Sequence, residues 1–248
     1  MKIPFFSGLK LGDIMDGHVV SSGTGEPDHV YLEQFKALRA KFEYKADMLN
    51  CRVVAVTSAV AGEGKTGSCM NLAMNLASSG RKKVLLIDMD LRKSDLARRM
   101  NMTSLPGLSE LLVGSAGLKD VVRNSVVKGL YVIPAGSRIS APADLLAGER
   151  FRTFLKESRA SFDIILLDTP PIIPVADTLI LRDQVDSFIF LFRAGFTPHA
   201  LFRQAVEEVG EKQILGVVLN CVEPRTERYY HKYYGKYYRK KGENETPK

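Results

Sequence analysis

Six short apolar runs recur along the chain: "RVVAVTS", "KKVLLIDMD", "LYVIPAG", "FDIILLDTPP", "DSFIFLFRAG" and "ILGVVLNCV". Their apolar stretches are continuous rather than alternating, which is the pattern of strands covered on both faces. Between the runs lie segments with helical character. One follows Lys65 through "TGSCMNLAMNLASS" and closes at Gly80, a suitable C-terminal cap. Another is "PHALFRQAVEEV", with Thr197 as N-cap and Pro198 in the first turn. Strand, helix and strand in repetition demand right-handed crossovers. The fold class is therefore α/β, a mostly parallel sheet with helices on both faces in a three-layer sandwich.

The 248 residues suffice for a substantial core, and 45% hydrophobic with 25% charged residues is ordinary for a soluble globular protein. No apolar run approaches the ~18 residues that cross a bilayer. The start, "MKIPFFSGLKLGDIMDG", has too short and broken an apolar segment for a signal peptide. Cys51, Cys69 and Cys221 form neither a CxxC pair nor an even disulfide framework, so a reduced, cytoplasmic setting is expected. Three regions follow: a leader over 1–28, rich in Gly, Ser and Asp; a single domain over 29–224; and a basic, tyrosine-rich tail over 225–248. The domain opens with "YLEQFKALRAKFEY", where Leu32, Phe35, Leu38 and Phe42 recur at helical spacing, giving an amphipathic helix over 31–44.

The first apolar run leads into a loop that fits G-x-x-x-x-G-K-[ST] from Ala59 to Thr66, with Ala59 replacing the first glycine. Gly62 and Gly64 let the backbone curl so that successive N–H groups face one point, and the helix starting near Lys65 adds its positive end. The stretch Ala61, Gly62, Glu63, Gly64, Lys65, Thr66 and Gly67 is then a phosphate cradle. Lys65 would reach the β- and γ-phosphates of ATP, and the Thr66 hydroxyl would bind Mg²⁺. Magnesium also needs carboxylate oxygens at strand ends. Asp88 and Asp90 end one run two residues apart, on the same side of a strand. Asp168 ends another, where parallel strands present their C-terminal ends. The bland alternative is that all three merely terminate strands.

The net charge of +7 is local. From Arg225 to Lys248 there are eight Lys or Arg against three Glu, so the tail holds most of it. That tail contains "YYHKYYGKYYRK", a quartet of two tyrosines, a variable residue and a lysine, written three times. At a spacing of four, Tyr229, Tyr233 and Tyr237 would line one side of a helix as a packing face. Stacking on single-stranded nucleic acid is another use of such a strip. Nothing else in the chain supports it, and no nucleic-acid partner is expected.

These parts together resemble the bacterial tyrosine kinases of exopolysaccharide and capsule synthesis loci, phosphate-loop proteins unrelated in fold to eukaryotic protein kinases. The likeness runs from Glu33 to Tyr238 through "EQFKALR", "TSAVAGEGKT", "VLLIDMDLRK", "GLSELLVG", "PADLLAGERF", "FDIILLDTPP", "GVVLN" and the tyrosine cluster. The resemblance implies an autokinase using ATP and Mg²⁺. Lys65 and Thr66 would hold the triphosphate and metal, and Asp168 would complete the metal site. Asp88 would orient or deprotonate the incoming hydroxyl, with Asp90 supporting the metal through water. Tyr229, Tyr230, Tyr233, Tyr234, Tyr237 and Tyr238 would be the acceptors. Asn220 resembles the asparagine that reads adenine in related proteins; a satisfied polar residue at a strand end is the other reading. Glu33, Lys36 and Arg39 correspond to an ExxRxxR subunit contact, with Lys36 where an arginine is usual. Ala61 and Ala141 also depart from the family pattern. The resemblance further implies homo-oligomers through the 31–44 helix, a separate transmembrane activator or polysaccharide co-polymerase subunit that recruits the protein to the inner face of the membrane, and a cognate tyrosine phosphatase.

Two rival functions share these features. One is a partitioning or positioning ATPase of the same superfamily. Such proteins usually carry a second lysine where this chain has Val60, and lack a tyrosine tail. The other is a nucleotide-holding scaffold phosphorylated by another kinase.

Overall fold

A computed structural model describes residues 29–173 and 176–222. The strands are β1 (Val53–Ser58), β2 (Val84–Asp88), β3 (Arg123–Asn124), β4 (Leu130–Ile133), β5 (Ile164–Asp168), β6 (Ser187–Arg193) and β7 (Ile214–Asn220). The helices are α1 (His29–Met48), α2 (Lys65–Ser78), α3 (Leu96–Arg99), α4 (Leu108–Val113), α5 (Leu118–Val121), α6 (Pro142–Ala147), α7 (Glu149–Ser161) and α8 (His199–Val209). The strands form one sheet in the order β3-β4-β2-β5-β1-β6-β7. Every neighbouring pair is parallel except β3 with β4.

Each of the six apolar runs became a strand, and the reason is visible in the burial. Along β1, β2 and β5 every residue is buried. Val54, Val56, Val84, Leu86, Ile164 and Leu166 pack toward α1, α2 and α3. Val53, Ala55, Leu85, Ile87, Ile165 and Leu167 pack toward the layer from α4 to α8. The expected three-layer sandwich is therefore present. The first helix extends beyond 31–44 to His29–Met48, with Phe35, Phe42 and Ala46 buried.

Three local expectations are corrected. β7 is an edge strand, and its continuous apolar run is only half covered: Val217 is 53% and Leu219 56% exposed. Thr197 does not cap α8; Pro198 holds that position, and the Thr197 hydroxyl donates to Glu63 Oε1 instead. β2 ends at Asp88, so Asp90 lies in the following loop rather than on the strand. The leader over 1–28 and the tail from 223 lie outside the described residues. Among the described residues, no helix is long and apolar enough to cross a membrane.

Candidate functional site

Parallel strands bring their C-terminal ends to one edge, and the predicted residues meet there. β5 sits between β2 and β1. Register places Asp88 beside Asp168 and Val56 beside Asp168. Asp88 and Asp168 continue the side of the strands that faces α2. The loop after β1 passes over this edge and enters α2 at Lys65. Gly62 (φ 84°) and Gly64 (φ 90°) both adopt the left-handed conformation, as the curled cradle requires. Ala61, Gly62 and Gly64 are exposed, and Gly67 leaves open space where a side chain would be. Their backbone can therefore face a ligand.

Glu63 is the exception in this loop. Its side chain is fully buried and points inward. Oε2 accepts from the Val60 amide at 2.8 Å, and Oε1 accepts from the Arg193 amide at 3.2 Å and from the Thr197 hydroxyl. Arg193 Nη1 donates to the Gly62 carbonyl at 2.9 Å, and its guanidinium stacks 4.5 Å over the Phe196 ring. Asn220, at the end of β7, donates through Nδ2 to the Glu63 carbonyl at 2.8 Å and accepts at Oδ1 from the Cys221 amide. Both ends of the Asn220 amide are thus engaged, and the satisfied-polar reading describes its state. The ends of β6 and β7 brace the loop from outside. Glu63→Ala would strand the buried Thr197 hydroxyl and take the acceptor from the part-buried Val60 and Arg193 amides. A loss of about 3 kcal/mol in chemical denaturation is the expected outcome.

The carboxylates differ in what they hold. Asp88 is 1% exposed and accepts from the Ser94 hydroxyl (2.7 Å), the Leu96 amide (3.2 Å) and the Asp90 amide (3.0 Å). Burial still pushes it up to about 6, against the pull of those hydrogen bonds. Asp90 is half-buried and accepts from the Lys93 amide at 2.8 Å and the Arg92 amide at 3.3 Å. Asp168 is 3% exposed, and its Oδ1 has no hydrogen-bond partner. Burial first, and the neighbouring Asp88 second, push it up to about 8, while a hydrogen bond with Thr66 and the charge of Lys65 oppose the rise. Lys65 donates to the Ser58 hydroxyl at 3.1 Å. Burial lowers its pKa, and Asp168, Glu63 and Asp90 counteract this. A lysine and three acids therefore share one field beside the glycine turn.

This donor set fits a metal held by a nucleotide. Among the described residues, no group of three or more His, Cys, Asp or Glu is arranged to hold a metal unaided. Magnesium in phosphoryl-transfer sites takes one or two carboxylates and completes its shell with phosphates and water. Asp168, with an orphaned buried oxygen, and Thr66 offer that partial set. The turn after β5 is fixed by hydroxyls that sequence reasoning missed: Thr57, Thr169 and Thr178 all donate to the Pro170 carbonyl.

The proposed subunit-contact residues divide. Glu33 and Lys36 form an exposed ion pair at 2.7 Å. Arg39 turns inward, donating to the Asn75 carbonyl of α2 at 3.1 Å. In this structure it docks α1 on its own domain. The six tail tyrosines lie outside the described residues. A cleft of about 680 Å³, lined by Arg152, Lys156, Leu179 and Gln184 among others, adjoins α7 and contains none of the predicted site residues.

Fold and loop together define a phosphate-loop nucleotide-binding domain of the three-layer kind. A family model described as an AAA domain matches residues 51–191, more than half of the chain. The tyrosine-protein kinase YwqD of Bacillus subtilis is 32% identical over 197 residues, covering 79% of this chain and 83% of YwqD. EpsB of Ralstonia nicotianae is 32% identical over 205 residues, but these make up 82% of this chain and only 27% of EpsB. The chain thus spans about a quarter of that relative's length. The crystal structure of the VpsO kinase domain superposes with a TM-score of 0.71 at 34% identity, covering 78% of this chain and 97% of that domain. The chain belongs to the bacterial tyrosine-protein kinase family.

Proposed function

We propose that this chain is an ATP- and Mg²⁺-dependent protein-tyrosine autokinase whose acceptors are Tyr229, Tyr230, Tyr233, Tyr234, Tyr237 and Tyr238. The observation that carries the reading is the buried, unpaired oxygen of Asp168 beside Thr66 and the glycine turn. A buried orphan oxygen is costly unless something arrives to pair with it. Bound with ATP, a magnesium ion would supply charge neutralisation on the phosphates. The residues then have separate tasks. The loop amides and Lys65 would bind and orient the triphosphate, Thr66 and Asp168 would hold the metal with Asp90 supporting it through water, and Asp88 would orient the incoming hydroxyl and take its proton. Asp88 is the better buried of the two, and Asp90 is the one nearer solvent.

An acceptor has to enter in line with the terminal phosphate. The strip places six tyrosines between Tyr229 and Tyr238, so several acceptor hydroxyls are supplied within one short segment. By family likeness, the chain would work with a separate membrane-spanning activator, a homo-oligomer and a tyrosine phosphatase in exopolysaccharide or capsule production at the inner face of the membrane.

The test is incubation with labelled ATP and Mg²⁺, beside Lys65→Met and a variant with all six tail tyrosines changed to Phe. Label on the wild-type tail and on neither variant is the expected result. Phosphate release with unlabelled protein would indicate an ATPase switch, and nucleotide binding with neither product a scaffold.

A further inference from the structure

A second cleft, of about 390 Å³, opens directly beside the acidic loop. Among the described residues, four cations line it, Arg92, Lys93, Arg98 and Arg138, and no acid does. Its apolar wall includes Ala97 and Met102. Arg92 is already committed, gripping Asp177 at 2.7 Å and the Ser140 carbonyl, and Arg98 pairs with Asp95 at 2.6 Å. Lys93 and Arg138 form no ion pair among the described residues; Arg138 donates only through Nε, to the Arg92 carbonyl at 2.8 Å. Two free cations over an apolar wall suit a ligand with a flat hydrophobic body and a dianionic head.

We propose that this cleft binds phosphotyrosine, and that its occupant is the phosphorylated tail of this same protein. The inference rests on the kinase reading for its ligand. Charge supplies the selectivity. The unmodified tail is basic and is repelled by the unpaired charges of Lys93 and Arg138, whereas each phosphate adds about −1.5 to −2 charges. Position supplies the route. β7 is parallel to β2, so the chain leaves β7 at Asn220 on the same edge as the cleft. The two strands lie four places apart, roughly 19 Å. Tyr233 is eleven residues beyond Val222, a reach of up to roughly 37 Å.

The cleft is also wired to the site. The Lys93 amide donates to Asp90, and the Ser94 hydroxyl, which also lines the cleft, donates to Asp88. A phosphotyrosine docked there holds the next quartet of the strip close to the acids that receive its hydroxyl. Phosphorylation of the strip then proceeds from a tethered product instead of restarting each time.

The test uses the full dephosphorylated chain without ATP. A peptide of residues 229–240 bearing phosphate on Tyr233, and its unphosphorylated twin, are titrated by fluorescence anisotropy. The phosphopeptide is expected to bind at least tenfold tighter than the twin. Lys93→Gln with Arg138→Gln should remove at least tenfold of that affinity, and Lys93→Gln alone, a change at an exposed side chain, at least threefold. Equal binding of the two peptides, or phosphopeptide affinity unmoved by Lys93→Gln, overturns the proposal. The Lys65→Met chain should bind the phosphopeptide as the wild type does, so a failed kinase assay and a failed docking assay are read separately.

Discussion

Asp168→Asn is expected to lower tail phosphorylation by at least a thousandfold while making the metal-free protein more stable. The two effects share one cause. Asp168 sits in a buried place beside Asp88, where ionisation is opposed by desolvation and by a like charge, and its pKa stands at about 8. The metal needs the charged form. The empty fold prefers the neutral one. The sign follows from linkage: a carboxyl whose folded pKa is raised above its unfolded value of 3.8 destabilises the fold increasingly as pH climbs between the two values. Asparagine keeps a similar shape and never ionises. Its stability advantage over the wild type should therefore widen by about 2–3 kcal/mol between pH 6 and pH 8, at 1.36 kcal/mol per pH unit for one proton. Thermal or urea unfolding in EDTA across that range measures it. Because Asp88 also titrates high, at about 6, the two carboxyls lose their protons in steps that belong to the pair. An advantage that stayed flat with pH would mean that Asp168 is already charged in the empty fold.

How much of this was legible in the sequence depended on range. The six apolar runs were readable because strands covered on both faces need continuous hydrophobicity, and that requirement is local. β3 was not, since Arg123–Asn124 is two residues long and owes its pairing to β4. The glycine turn, Lys65 and the strand-end acids were readable because their chemistry dictates residue type and spacing together. The brace around the turn was hidden. Thr197 followed by Pro198 has the look of a helix cap, yet its hydroxyl bonds Glu63, 134 positions away. Only topology brings β6 over the loop after β1. Glu63 likewise reads as one more residue in a glycine-rich loop, and nothing in its neighbours says that its carboxylate turns inward. Arg39 has the spacing of a surface contact, but the α2 carbonyl it bonds is 36 residues ahead. Asp90 shows the limit of period-two reasoning, which holds only while the strand lasts.

Gly64→Ala is expected to remove detectable nucleotide binding, and the physical interest lies in how that loss divides. Two independent penalties meet at this position. The backbone is left-handed at φ 90°, which a side chain disfavours by about 1 kcal/mol or more. An added Cβ would also lie 2.3 Å from Asn220 Nδ2, far inside contact distance. That nitrogen cannot step aside freely, because it donates to the Glu63 carbonyl and thereby fixes the next peptide of the cradle. The alanine must therefore displace either the loop or its brace. Adding Asn220→Gly removes the clash and leaves the backbone strain, so the double variant separates the two. If steric overlap dominates, the double variant regains stability relative to Gly64→Ala alone, giving a favourable coupling of about 1–2 kcal/mol in a double-mutant cycle. Binding should recover only in part, since the unbraced cradle no longer holds its amides convergent. Calorimetric titration with ATP and Mg²⁺, alongside urea unfolding of all four proteins, reads both quantities. A Gly64→Ala chain that bound nucleotide like the wild type would show that the amides of this turn are not the cradle.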